Sequence, residues 1–300
     1  MRKATCRLLS TFSAALLQLC ANCSAQDKKP APTGMVLIPG GTVTLGIDSA
    51  DIPHFQSVFQ IDHAELFADE VPKHTVTLQP FYLDKFPVTN AQFFAFTQAV
   101  PQWQPANVPA SLRQGNYLKH WISGQVPKNL ENHPVVNIAW FDANAYCQWR
   151  GKRLPIEAEW EHAARGGANG LFPWGSAPAD SSRANFSASG FGTTTEVGKY
   201  APNGYGLYDM AGNVWQFLAD DWTKYPNHAV TGTAQYVNQA ELEKYAIHPN
   251  AARKVIRGGS YAGAPINLWV EYRDSHPANG ARDFVGFRCA KSVSPKTPPQ

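Results

Sequence analysis

From residue 168 to residue 292 the chain never runs far without a Gly, Pro, Asn or Asp, and its apolar stretches between them are short. Helical periodicity fades there, so this stretch is expected to fold as many turns with little regular structure, and to need cross-links or bound ions to hold it. The counterweight is aromatic. With 23 Gly and 23 Pro beside nine Trp and eleven Tyr, the composition describes a loop-rich globule with large anchors and excludes a helical bundle or coiled coil. A length of 300 residues allows one large domain or two small ones.

The start of the chain reads as a leader. Arg2, Lys3 and Arg7 precede a largely apolar run from Leu8 to Ala21, and Cys23-Ser24-Ala25 offers small residues before the polar Gln26-Asp27-Lys28-Lys29. This is a signal-peptide layout with cleavage after Ala25, and the run is too short to span a bilayer. Cys20 or Cys23 would suit a lipoprotein, but Leu19 and Asn22 are poor neighbours for that processing. The expected divisions are a signal peptide over 1–25, a linker over 26–33, one domain over 34–292 and a tail over 293–300, in a periplasmic or extracellular protein with no transmembrane span. Removing the three leader cations turns a net charge of +3 into 23 basic against 23 acidic residues. A neutral chain has no footprint for nucleic acid or anionic membrane. It also keeps only Cys147 and Cys289, which read either as an export-compatible disulfide or as two buried thiols.

Met35–Ile38 and Thr42–Leu45 read as strands around a Pro-Gly-Gly turn, and Lys73–Leu78 alternates as a half-buried strand that Phe81-Tyr82-Leu83 continues. Thr89 or Asn90 caps a helix to about Val100. A second helix fits Trp140–Arg150 with Gly151 as its stop, and a third runs from about Ile156 to Arg165, ending at Gly166-Gly167.

Several strings recur in order: Gly34-Met35-Val36-Leu37-Ile38-Pro39-Gly40-Gly41, Val88-Thr89-Asn90, His133-Pro134-Val135-Val136-Asn137, Gly151-Lys152-Arg153-Leu154-Pro155 with Glu157-Ala158-Glu159-Trp160-Glu161, Phe172-Pro173-Trp174-Gly175, Asn203-Gly204-Tyr205-Gly206 through Gly212-Asn213-Val214-Trp215, Arg257-Gly258-Gly259-Ser260 and Gly286-Phe287-Arg288-Cys289. Together they resemble the formylglycine-generating enzyme (sulfatase-modifying factor) family over about residues 34–292. The resemblance implies an α+β fold of low regular secondary structure, similar to complex C-type lectins. It also implies a disulfide between Cys147 and Cys289, while a second family disulfide has no counterpart, its positions being Ala164 and Arg273.

The same resemblance implies a calcium ion in the loop of Asp209, Gly212, Val214 and Gln216, with Gln216 standing where Glu is more usual. A second calcium site would start at Asn185 and the Phe186 carbonyl, but its expected Asp falls near Ser189. Copper is different. Members that make formylglycine bind cuprous ion through two cysteines after the Gly-Gly-Ser turn, because soft thiolates suit a soft ion. Here Gly263 and Leu268 align with those thiols and no cysteine lies between Cys147 and Cys289, so copper-dependent formylglycine generation is not expected. Nor do His54, His63, His74, His120, His133, His162, His228, His248 and His276 show a spacing that pairs two on one helical face, as the related iron sulfoxide synthases would require.

What replaces the copper pair is a set of candidates. Trp269, Glu271 and Arg273 alternate as on one face of a strand, with Asp274 and His276 just beyond and Ser260 before them. A carboxylate, a guanidinium and an imidazole beside an aromatic wall suit acid–base work; the plainer reading is a structural Glu271–Arg273 ion pair. Residues 47–72 and 101–132 look enlarged relative to the family core, with Phe55, Phe59, Trp103, Tyr117 and Trp121 either forming binding loops or packing on the core. The related branch that oxidises a siderophore precursor in pyoverdine maturation also lacks the copper pair. Two functions follow: a divergent exported oxidase or maturation factor acting on a peptide or peptide-derived substrate, or a non-catalytic binding or accessory module using the lectin-like surface.

Overall fold

The computed structural model describes residues 31–108, 115–226, 230–231 and 253–293. The leader, most of the linker, the tail beyond residue 293, His228 and His248 lie outside them. Among the described residues no helix is long and apolar enough to cross a membrane.

Chain order is β1 (Met35–Ile38), β2 (Gly41–Leu45), α1 (Ile52–Phe59), β3 (His74–Leu78), β4 (Phe81–Asp84), α2 (Asn90–Ala99), α3 (Trp140–Trp149), α4 (Glu157–Arg165), β5 (Trp215–Asp221), β6 (Val230–Thr231), β7 (Arg253–Arg257), β8 (Arg273–Pro277), β9 (Val285–Gly286) and β10 (Ala290–Ser292). They form three small sheets, ordered β1-β4-β10, β2-β3-β6 and β8-β7-β5-β9.

The first two strands do not pair with each other, as a Pro-Gly-Gly turn suggested, nor does β4 continue the sheet of β3. Instead β1-β2 and β3-β4 form one antiparallel ribbon, Ile38 opposite Phe81 and Gly41 opposite Leu78, and the ribbon bends between sheets at Pro39-Gly40 and Gln79-Pro80. The prolines donate no ladder bond there. Gly40 is needed for the crossing, since a Cβ on it would stand 2.5 Å from the Leu78 carbonyl oxygen.

The three long helices stand where capping and periodicity put them. Thr89 Oγ1 accepts from the Gln92 N–H at 3.3 Å while Gln92 Oε1 accepts from the Thr89 N–H at 3.0 Å, a reciprocal cap that starts α2. Phe93 and Phe96 of α2 then bury against Tyr146 of α3 and Phe287. Cys147 on α3 and Cys289 before β10 are fully buried in the same core, their Cα atoms 5.6 Å apart and their sulfurs at disulfide distance. Tyr117 and Trp121 of the enlarged 101–132 segment belong to this core as well.

The expectation of little regular structure after residue 168 holds only as far as residue 214; beyond it β5, β7, β8 and β9 make a four-stranded sheet. What seats α4 on that sheet is charge. Arg257 of β7, with no exposed surface, donates to Glu161 Oε2, to Glu157 Oε1 at 3.3 Å and to the Val270 and Glu271 carbonyls at 2.7 and 2.8 Å. Arg273 of β8 grips Glu157 as a fork, Nε to Oε1 at 2.9 Å and Nη2 to Oε2 at 2.8 Å. Removing one member of such a buried set leaves a stranded charge, which costs about 3 to 5 kcal/mol. Glu161→Ala is therefore expected to lower unfolding free energy in urea by about that amount; a loss under about 1 kcal/mol would mean that the sheet holds α4 without it.

Candidate functional site

After β7 the chain turns sharply through Gly258 (φ +95°) and Gly259 (φ +72°), where a Cβ on Gly259 would stand 2.8 Å from the Asn267 carbonyl oxygen. The loop that follows is tied down from within. Ser260 Oγ accepts from the Ala262 N–H at 3.3 Å, Asn267 Oδ1 accepts from the Ala264 N–H at 2.8 Å, and the Gly263 carbonyl accepts from Ser187 at 3.0 Å. A Cβ at Gly263 would lie 3.1 Å from Asn267 Oδ1, a tight contact that calls for a shift of a few tenths of an ångström in that cap. Leu268 closes the Pro265–Leu268 turn and is 1% exposed, packed with Ile266, Phe67 and Trp269. The two positions aligned with soft-metal ligands thus hold a tight glycine and a sealed leucine.

The five candidate residues do not share a surface. Trp269 and Glu271 lie in a turn and only Arg273 opens a strand, because the preceding single-turn helix breaks the alternation on which a common face depends. Trp269 is fully buried under the enlarged 47–72 segment, its ring 4.5 Å from Phe55, 5.5 Å from Phe59 and 6.1 Å from Phe67. Glu271 is paired, but with Arg165 of α4 at 2.6 Å and not with Arg273; burial pushes its carboxyl upward, and its Oε2 has no partner among the described residues. Arg273 faces Glu157, with its guanidinium 3.9 Å from the Tyr225 ring centre and 4.5 Å from that of Trp222. His276 sits between Phe217 and Phe284, under Gly280, and burial first, then Arg282 and Arg253, pushes its imidazole down to about 4. Ser260 is buried in its own loop.

Glu271 and Arg273 line different cavities. Glu271 floors a cleft of about 880 Å³ with Arg165 and His162 of α4, β2 and α1. Arg273 and Glu157 edge a second cavity of about 230 Å³ with Asp220 and Tyr225. The network residues Glu157, Glu161, Arg165 and Arg257 carried no role in the sequence; the local signal is the i, i+4, i+8 spacing that puts Glu157, Glu161 and Arg165 on one face of α4.

The Asp209 loop offers a mixed donor set. Asp209, at φ +51°, accepts from the Gly198 N–H at 2.7 Å through Oδ2 and leaves a buried Oδ1 without a partner among the described residues. That oxygen suits a cation. Gln216 does not: its Oε1 already accepts from Trp160 Nε1 at 3.0 Å and Arg288 Nε at 2.7 Å, and its Nε2 donates to the Asp209 carbonyl at 2.8 Å. The Gly212 carbonyl accepts from Val214 at 2.9 Å. As held here the four residues do not fit a calcium ion, which needs six to eight oxygens. At the second position Asn185 Oδ1 and the Phe186 carbonyl lie 2.8 and 2.7 Å from Ser189 Oγ, whose single proton serves one of them at a time, and the Phe186 carbonyl also accepts from the Ser189 N–H at 2.9 Å. Among the described residues no three His, Cys, Asp or Glu side chains gather as a metal site.

Fold and loops together define a class: an α+β scaffold of small sheets in which a Gly-Gly-Ser turn and a Gly-Asn-Val-Trp loop meet beside a buried arginine pair. The model of the sulfatase-modifying factor enzyme 1-like domain matches residues 21–293, and the chain belongs to that family. It is 33% identical to the formylglycine-generating enzyme of Thermomonospora curvata over 86% of this chain and 93% of that protein. It is 34% identical to the serine/threonine-protein kinase pkn1 of Chlamydia pneumoniae over 90% of this chain, but spans only 40% of the kinase's length. The solved structure of PvdO from Pseudomonas aeruginosa superposes with a TM-score of 0.59 over 86% of this chain and 94% of that one at 24% identity, a likeness of fold alone.

Burial also predicts how stability varies with pH. Desolvation, opposed by the Arg273 N–H, raises Glu70 to about 7; desolvation and then neighbouring Glu157 raise Asp220 to about 7. An acid whose folded-state value lies above its unfolded value contributes stability that is full below the unfolded value and lost as pH rises through the folded one. From roughly pH 5 to pH 8 these two acids should each lower unfolding free energy by about 2 to 3 kcal/mol, opposed below about pH 6.5 by His120 and His276, which burial holds down to about 4. Glu70→Gln, measured by urea unfolding at both ends, should remove about half of that slope; an unchanged slope would mean that Glu70 ionises as it does in water.

Proposed function

We propose that this chain is a binding or accessory module on the formylglycine-generating-enzyme scaffold, without the copper-dependent oxygen chemistry of that enzyme. One observation carries the reading: Leu268, aligned with a metal thiol, is sealed among Ile266, Phe67 and Trp269, and the other ligand position is a glycine under its own loop's cap. Cuprous ion needs soft donors, and neither residue supplies one. The alternative, a metal-free oxidase or maturation factor using Ser260, Trp269, Glu271, Arg273 and His276, needs those groups within reach of one substrate. Their bonds to Arg165, Glu157 and the surrounding rings commit them to separate tasks.

The setting we propose is outside the cytoplasm. The leader-like start supports it, and so does the buried Cys147 and Cys289 pair, which we read as a disulfide formed in an oxidising compartment. Calcium at the Asp209 loop would require Gln216 to release Trp160 and Arg288 and turn its oxygen inward. The module reading does not depend on that ion.

Oxygen consumption tests the proposal. Purified protein given copper and a cysteine-containing sulfatase peptide should consume oxygen at the rate of the peptide and copper alone. Sustained turnover with conversion of the peptide cysteine to an aldehyde would refute the module reading.

A further inference from the structure

We propose that the 880 Å³ cleft beside β2 binds an extended, uncharged polypeptide segment by adding it as a strand to the free edge of β2, an inference that rests on the module reading and names its ligand class. Among the described residues, the sheet order β2-β3-β6 leaves one edge of β2 without a strand partner. In an antiparallel pair alternate residues turn both N–H and C=O away from the neighbouring strand, so Gly41–Leu45 presents main-chain donors and acceptors along that edge. Sheet edges that must stay single are commonly guarded by lysine, proline or a bulge. This one has none: Gly41-Thr42-Val43-Thr44-Leu45 pairs with β3 without interruption from Gly41 opposite Leu78 to Leu45 opposite His74.

The edge does not face open solvent. Residues 42–47 form one wall of the cleft and residues 167–171 another. That second wall is also bare backbone. Ala168 donates to the Arg165 carbonyl and the Leu171 carbonyl accepts from Val270, whereas Asn169 and Gly170 make no backbone hydrogen bond among the described residues. The extended part of that wall, residues 42–45, corresponds to about 13 Å of chain, because Gly46 (φ +71°) turns out of the strand, and the cleft's size is that of a specific ligand site rather than a surface dimple. Main-chain recognition of this kind selects a polypeptide, with side-chain pockets choosing every second residue.

The charges around the cleft say which polypeptide. Arg165 is already paired with Glu271, and Lys73 with Asp48 at 3.2 Å, so the site holds no uncompensated positive field for a phosphate or an acidic segment, and the remaining charged residue of the lining, Asp51, is exposed and screened by water. Phe55, Val58 and Leu171 supply apolar surface. The fitting occupant is a neutral strand with apolar side chains at alternate positions, from a partner protein.

The test uses the full chain, a phage-displayed library of linear dodecapeptides, and an Ala168→Trp variant that fills the cleft from an exposed position away from the core. Peptides selected on the wild type should be neutral with alternating apolar residues. They should lose about tenfold or more in affinity for Ala168→Trp at unchanged melting temperature, and by a similar factor when alternate backbone nitrogens facing β2 are methylated. Hydrogen exchange of the amides at 41–46 should slow on binding. Three results would each overturn the proposal: no peptide recovered, recovered peptides indifferent to both the variant and N-methylation, or exchange at 41–46 that slows with protein concentration alone, which would assign the edge to a second copy. Those failures leave the module reading intact, because it falls only to oxygen turnover.

Discussion

Two arginines and two glutamates, buried together, decide what most of the second half of the molecule can be. Arg257 and Arg273 reach from neighbouring strands into Glu157 and Glu161 on one short helix, and the Arg257 guanidinium also gathers the Val270 and Glu271 carbonyls from the turn that follows. A charge moved out of water into such a place is tolerable only with its partners in good geometry. The network therefore fixes the helix, the sheet and the turn relative to one another, in a region where glycine-rich loops supply little regular hydrogen bonding of their own. Arg165 extends it outward to Glu271 and the wall of the large cleft.

This arrangement also explains why polar residues that look like an active site in the sequence are not brought together. Glu271 and Arg273 are two apart in the chain, yet one faces Arg165 and the other Glu157, because the chain turns between them before β8 begins. His276 has been drawn among rings, where its neutral form is favoured. Trp269 has become the floor for Phe55 and Phe59 of the enlarged segment. At the two positions that the family resemblance aligns with a soft-metal pair, this chain has a tight glycine and a buried leucine.

Much of the fold was legible because its signals are local. The Thr89 and Gln92 cap, the helix through Cys147, the alternation of His74–Leu78 and the turn-rich stretch up to residue 214 each follow from neighbours in sequence. The remainder depends on partners far along the chain. Glu157 and Glu161 lie one turn apart on one helix face, but nothing near them in sequence names the partner, Arg257, which is 96 residues beyond Glu161. The bend of the β1-β2 ribbon is legible only once Gly40 is seen against Leu78 and Pro80. The candidate residues are spread apart for a related reason: alternation places side chains on one face only if the strand exists, and Pro265–Leu268 coils instead. The missing thiols were the part of the site most secure from sequence, since an absent atom type needs no geometry.

The central claim is that the loop from Ser260 to Trp269 is a packed element with no place for a soft cation. Anaerobic titration of the purified chain with cuprous ion against a competing cuprous chelator tests it most directly. The account predicts that the chelator keeps all of the metal and that the protein's melting temperature does not move. One equivalent retained by the protein, with sulfur or nitrogen ligation seen by X-ray absorption, would contradict it.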